Sequence, residues 1–168
     1  MKSKYIAGAL ALLLIVASNL AAQLVAGSPE DALYGQIESA GSAGERLELA
    51  LQFEREFPES PVKVQILTMI MNLYNQQQDA DNAVAYAEKA LAADDDNVEA
   101  LIALTYNLAL SREDIPAAIE YGQRAVATIN TMRGEEPPAG YTPEAWTQYL
   151  DSLGTSASSY LNYAETIR

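Results

Sequence analysis

Ala83-Val84-Ala85-Tyr86-Ala87-Glu88-Lys89-Ala90-Leu91 returns 35 positions later as Ala118-Ile119-Glu120-Tyr121-Gly122-Gln123-Arg124-Ala125-Val126. Both stretches share Ala, then Val or Ile, a Tyr, a base, a second Ala, and Leu or Val at the end. Each follows another amphipathic segment of similar length. Leu67, Ile70, Met71 and Tyr74 fall at i, i+3, i+4 and i+7, one face of a helix. Leu101, Leu104, Thr105 and Leu108 repeat that pattern 34 residues on. The facing stripe is small: Ala83, Ala87, Ala90 and Leu91, then Ala118, Gly122, Ala125 and Val126. Small residues opposite large ones let two helices approach closely. A two-helix unit of about 34 residues cannot bury its apolar face alone, so such units stack into a solenoid. The expected fold class is all-α.

Helix starts can be read between these segments. Ser28-Pro29, Ser60-Pro61 and Thr142-Pro143 each place Pro after a capping hydroxyl. Pro at the first helical position sacrifices no intrahelical bond, and the hydroxyl accepts from an orphan N–H. Asp96 and Glu99 are spaced like a capping box. Asp79 or Asp81 suits the start of the helix carrying Ala83, and Asp114 that of the helix carrying Ala118.

The segment Val64–Asn97 resembles a tetratricopeptide repeat, a 34-residue helix-turn-helix unit. Leu67, Ile70 and Tyr74 stand where that family has its first-helix aromatic, leucine and tyrosine. Ala83 and Ala90 match its second-helix alanines. Residues 98–131 resemble a second unit through Leu101, Leu104, Leu108, Ala118 and Ala125, with one extra residue in the turn. Residues 29–60 look like a degenerate first unit, with Arg46 to Ser60 similar to a second helix. Its ending, Phe57-Pro58-Glu59-Ser60, is similar to that in envelope-assembly repeat proteins of the bacterial periplasm. Met71 and Thr105 replace the family's small first-helix residue, and Ala87 and Gly122 its second-helix aromatic. Bulk has moved from one helix to the other.

Beyond the repeats, residues 133–141 hold two prolines and two glycines and read as a surface loop. From Thr142 a long helix is expected nearly to Arg168. Its apolar stripe is Trp146, Tyr149, Leu150, Leu153, Ala157, Tyr160, Leu161, Ala164 and Ile167. A lone helix with such a stripe must bury it, and capping the end of the solenoid is the simplest way. Gly154 suggests a kink or a close crossing.

The first 27 residues look like an export signal, with Lys2 and Lys4 ahead of an apolar run from Ile6 to Ala17. Cleavage after Gly27 would leave Ser28-Pro29-Glu30-Asp31 as a helix start, and cleavage after Ala22 is the other choice. Residues 6–26 are also just long enough to span a bilayer, so a retained anchor is the rival. The expected location is periplasmic or secreted, or else anchored in the inner membrane facing the periplasm. Membrane contact is expected only if the segment is retained.

Composition limits the chemistry. The 168 residues carry 10 basic and 23 acidic side chains, a formal net charge of −13, and contain no His and no Cys. An acidic surface repels phosphate backbones, so nucleic acid is not an expected partner. Without Cys there is no disulfide or thiolate metal site. Without His the commonest general base and metal ligand are missing. Asp94-Asp95-Asp96-Asn97 lacks the spacing and the distal Glu of a calcium loop, and reads as an inter-repeat turn that favours the next helix start. No hydrolase elbow, zinc-protease motif or phosphate loop occurs after the signal. The expectation is a non-enzyme with no catalytic residues, no metal, no cofactor and no small-molecule substrate.

The resemblance implies a concave groove lined by first-helix residues. Here these are Gln65, Thr68, Asn72, Asn75 and Gln76, then Glu99, Ile102, Tyr106 and, approximately, Ala109 and Leu110. Family members that grip a partner's terminal carboxylate use Lys and Arg there; this groove has neither, which argues against an acidic tail as ligand. Asn and Gln amides suit an extended peptide backbone, while Ile102, Tyr106 and Leu110 offer apolar area. The implied function is a scaffold for a peptide or protein partner in the cell envelope. The alternative is a self-assembling structural protein that forms homo-oligomers through its C-terminal helix. Whether that helix covers the groove is open at this level.

Overall fold

The computed structural model describes residues 24–168, and the apolar run at 6–17 lies outside them. Seven helices follow in order: α1 (Pro29–Ser39), α2 (Ala43–Glu56), α3 (Lys63–Gln76), α4 (Ala80–Ala93), α5 (Val98–Ser111), α6 (Ile115–Met132) and α7 (Pro143–Thr166). No strand occurs among the described residues. Each helix packs on the next, and α7 also packs on α5. Helices α1–α2, α3–α4 and α5–α6 form three stacked helix-turn-helix units. The fold is an all-α, tetratricopeptide-like solenoid.

The helix boundaries show which capping signals prevail. Ser28 accepts from Asp31 N, Asp79 from Asn82 N, Asp114 from Ala117 N and Thr142 from Ala145 N. The start near Ser60 differs from the reading above. Ser60 Oγ accepts from Val62 N inside a turn, and α3 begins two residues later at Lys63, with Val62 as an N-cap that has no side-chain bond. Burying Val62 completely in the core draws the chain into that turn first. The capping box at Asp96 and Glu99 does not form either. Asn97 caps α5 through Ala100 N, while Asp94 accepts from Asp96 N in the preceding turn. Glu99 is thereby free to point across the face of the stack.

The cores bear out the two stripes. Ile70, Met71, Leu101, Leu104, Thr105, Ala83, Ala87, Ala90, Ala118 and Ala125 have no exposed surface, and Leu67 next to none. Gly122 lies against both α5 and α7: a Cβ there would come within 3.0 Å of Thr105 Cγ2 and 3.1 Å of Leu161. The turns inside the last two units also repeat. Gln78 and Arg112, 34 residues apart, both take the left-handed conformation, with φ of 62° and 60°. The extra residue of the second turn follows Arg112, so Asp114 caps where Asp79 does in the first.

The repeated Tyr and base form a clasp between units. Lys89 Nζ lies 4.1 Å above the Tyr86 ring, and both reach back to α2: Lys89 pairs with Glu54 at 2.8 Å and Tyr86 OH donates to the same carboxylate at 2.7 Å. In the next unit Arg124 lies beside Tyr121 and donates to the Asp95 carbonyl at 2.7 Å. The motif that betrays the repeat is thus a tether to the chain before it.

The chain adds to the described stack at both ends. Leu24 is buried in the core formed with Leu33 and Tyr34. The turn after it is tied by Ser28 N to Val25 O and by Gly27 N to Asp31 Oδ2, at 2.9 and 2.8 Å. The first helical unit therefore includes residues 24–27, which cleavage after Gly27 would remove. At the other end α7 lays Trp146, Leu150 and Ala157 against Val98, Leu101, Ala125 and Ile129, and Leu161 and Ala164 against Ala109 and Ala118. It occupies the place of a first helix in a fourth unit. Its outward row, Thr147, Asp151, Thr155, Ser158, Asn162 and Thr166, is exposed and polar. Gly154 marks a close crossing, since a Cβ there would stand 3.3 Å from Arg133 Nη2.

Candidate partner-binding face

Helices α3, α5 and α7 stand side by side, and their polar side chains join across the seams. Asn97 Nδ2 donates to Thr68 Oγ1 at 3.0 Å, Asn72 Nδ2 to Glu99 Oε2 at 2.9 Å and Asn107 Nδ2 to Asn75 Oδ1 at 3.0 Å. Along this seam the two units are held by directional bonds, each contributing about 1 kcal/mol net. Asn107 is itself buried and also donates to the Ala103 carbonyl, so its amide is fixed from two sides.

Glu99 is the junction of all three helices. One carboxylate oxygen accepts from Asn72 on α3, and the other accepts from Tyr149 OH on α7 at 2.8 Å. Burial, and then the Glu99 charge, push the Tyr149 phenol far above its usual range, so it stays a donor at any physiological pH. Tyr141, Trp146 and Tyr149 pack ring against ring over this end, with centroids 5.1 to 5.8 Å apart.

The expected groove residues fall into different environments. Thr68, Asn72, Asn75 and Glu99 come together as partners of neighbouring helices, each already in a hydrogen bond across a seam. Glu99 is half-buried, and both its partners are neutral donors that leave its charge uncompensated. Ile102 is 9% exposed and belongs to the core between α5 and α7. The C-terminal helix thus covers the α5 end of the expected groove in part and widens the face by one more helix. Gln65 is half-buried with Oε1 shut away and unpaired, while Gln76 is exposed at the end of α3. Tyr106 is 39% exposed and packs at a tilt against Tyr160 of α7, with ring centroids 4.8 Å apart. Leu110 and Tyr163 stand open beside this pair at 55% and 41%. Tyr149, Tyr160 and Tyr163 were not expected here. Helical spacing marks Tyr149 and Tyr160 as core, Tyr163 lies outside that apolar stripe, and only the docking of α7 brings Tyr160 against Tyr106.

Among the described residues no group of three or more acids is placed to hold a metal ion. In the Asp94–Asn97 turn, Asp94 Oδ1 accepts from Asp96 N and Asn97 Oδ1 caps α5.

No family model matches the chain, and no solved structure matches it. A stretch of 61 residues is 43% identical to part of a tetratricopeptide repeat and J domain-containing co-chaperone of Mycosarcoma maydis, covering 36% of this chain and 10% of that protein. The chain therefore spans about a tenth of the length of the curated relative it matches. That likeness agrees with the repeat geometry: this is a stack of tetratricopeptide-like helical repeats.

Proposed function

We propose that the protein is a non-catalytic scaffold that holds a protein or peptide partner on the face made by α3, α5 and α7. The observation that carries this is the open patch of Tyr106, Leu110, Tyr160 and Tyr163. Aromatic and aliphatic surface left in the open on a repeat stack is what partner helices or strands cover. The repeat likeness to a co-chaperone supports the same class of role. The basic and apolar segment at residues 1–27 and the Phe57–Ser60 ending support a location in a bacterial cell envelope, periplasmic or anchored there.

In-cell cross-linking followed by capture of the tagged chain tests this, with Tyr106→Arg as the comparison. A discrete protein recovered with the parent and lost with a folded Tyr106→Arg chain is the expected result. Undiminished recovery would remove the face from consideration. Turnover of any substrate by the purified protein would overturn the non-catalytic part of the reading. The self-assembly alternative needs the apolar stripe of α7, and that stripe is spent on α5 and α6 within one chain.

A further inference from the structure

The patch has a definite electrical setting. Helices α3, α5 and α7 carry one basic residue, Lys63, at the first position of α3. That lysine lines a cleft with Glu54 and Lys89, on the clasp between α2 and α4. The same three helices carry the carboxylates Glu99, Glu144, Asp151 and Glu165, of which Asp151 is neutralised by Arg133 at 2.7 Å. Glu144 stands sixteen residues before Tyr160, about 24 Å along α7, so the unneutralised acids nearest the patch are Glu99 on α5 and Glu165 on α7. Acids so placed attract a cation and repel a carboxylate.

Spacing adds a second constraint. Glu99 and Tyr106 lie seven residues apart on α5, which the rise of a helix converts to about 10 Å. An extended polyproline-type segment rises about 3.1 Å per residue with three residues per turn, so its side chains i and i+3 share one face about 9 Å apart. A base at one of these positions would meet Glu99 while the other lies on the Tyr106–Tyr160 pair. Tyrosine surfaces of this kind suit proline rings and aliphatic side chains, and a preformed extended segment loses little entropy on docking.

Resting on the partner-binding reading, we infer that the partner presents a proline-containing extended segment with Arg or Lys three residues from a Pro or Leu. Glu99 selects the base, and Tyr106, Tyr160 and Leu110 take the apolar position.

The test is selection from a phage-displayed library of random dodecapeptides on the immobilised full chain. Tyr106→Ala, Leu110→Ser and Glu99→Gln chains are panned in parallel, and circular dichroism confirms that each is folded. The expected enrichment is a base three positions from Pro or Leu, with recovery falling about tenfold on either patch variant. Glu99→Gln can still accept from Asn72 through its amide oxygen and donate from Nε2 to the Tyr149 hydroxyl oxygen, so it should abolish the preference for a base while keeping the apolar position. A purely structural role for Glu99 would not split the motif in that way. Enrichment of neutral or acidic sequences that still depends on the patch would overturn the basic class and leave the binding face standing. Enrichment indifferent to both patch variants would overturn both.

Discussion

Gly122 of α6 lies so close to Leu161 of α7 that a Cβ added at 122 would sit 3.1 Å from that side chain, with Thr105 Cγ2 at 3.0 Å on the other side. Thr105 has no exposed surface and its hydroxyl is bonded to the Leu101 carbonyl, so it cannot give way freely. Helix propensity favours Ala over Gly by about 1 kcal/mol, but overpacking costs about 1–3 kcal/mol. Gly122→Ala is expected to lower stability by about 1 kcal/mol in urea unfolding, the packing cost outweighing propensity. Gly154→Ala is the contrast. The neighbour there is the end of the flexible Arg133 side chain, at 3.3 Å, so propensity should win by about 0.5 kcal/mol.

The clasp on Glu54 should be cooperative. Removing the carboxylate with Glu54→Ala strands Tyr86 OH and leaves Lys89 unpaired. Lys89 is half in solvent, with 49% of its side chain exposed, so its share is small and the phenol carries more. A loss of about 1–2 kcal/mol is expected for Glu54→Ala and about 1 kcal/mol for Tyr86→Phe. The double variant should cost less than the two singles together. Strict additivity in that cycle would show that the clasp does not act as a unit.

How much of this was legible beforehand follows from the kind of signal each residue sends. The repeat and the helix caps at Ser28, Asp79, Asp114 and Thr142 are local, and they appear where spacing and residue type place them. Asp96 and Asn97 are both good caps, and the sequence does not rank adjacent candidates; the Asp94 turn decides between them. The binding face was less legible. Thr68, Asn72 and Asn75 resemble free amide and hydroxyl groups until the facing Asn97, Glu99 and Asn107 are seen to use them. The apolar stripe of α7 reveals that the helix must dock, and nothing local says onto which pair.

Alkaline unfolding offers a separate check. Burial, and secondly the Glu38 carboxylate, push the Tyr34 phenol from 10.0 up to about 12. In the unfolded chain that phenol ionises near its usual value, whereas the folded chain holds its proton longer. The stabilisation is therefore complete below about pH 10 and is lost as pH rises from there through 12, by at most about 1.4 kcal/mol per pH unit for this tyrosine. Urea midpoints should fall over that window. Tyr34→Phe should flatten the fall, and an unchanged slope in that variant would rule Tyr34 out as its source.

The buried Leu24 bears on how the N-terminal segment is processed. If a signal is removed, the junction after Ala22 keeps Leu24 and its turn with α1, whereas the junction after Gly27 discards them. On the proposal that the segment is an export signal, intact-mass measurement of the protein recovered from cells is expected to give Gln23 as the first residue, and a chain beginning at Ser28 would contradict it. A chain made to start at Ser28 should melt several degrees below one starting at Gln23, since burying one leucine is worth about 2 kcal/mol.

The polar outer row of α7 also determines what the molecule cannot become. A stack of like units is open at both ends, and each end offers the same surface that joins one unit to the next. Contacts of that head-to-tail kind leave a free surface at each step, so an unsealed stack adds further copies until it closes into a ring or runs on as a filament. Helix α7 acts as a chain terminator, spending one such surface and presenting serine, threonine and asparagine in its place. Deleting residues 142–168 should therefore give larger species than the full chain in sedimentation, with growth that depends on concentration. A protein that assembled through α7 would do the reverse and fall apart.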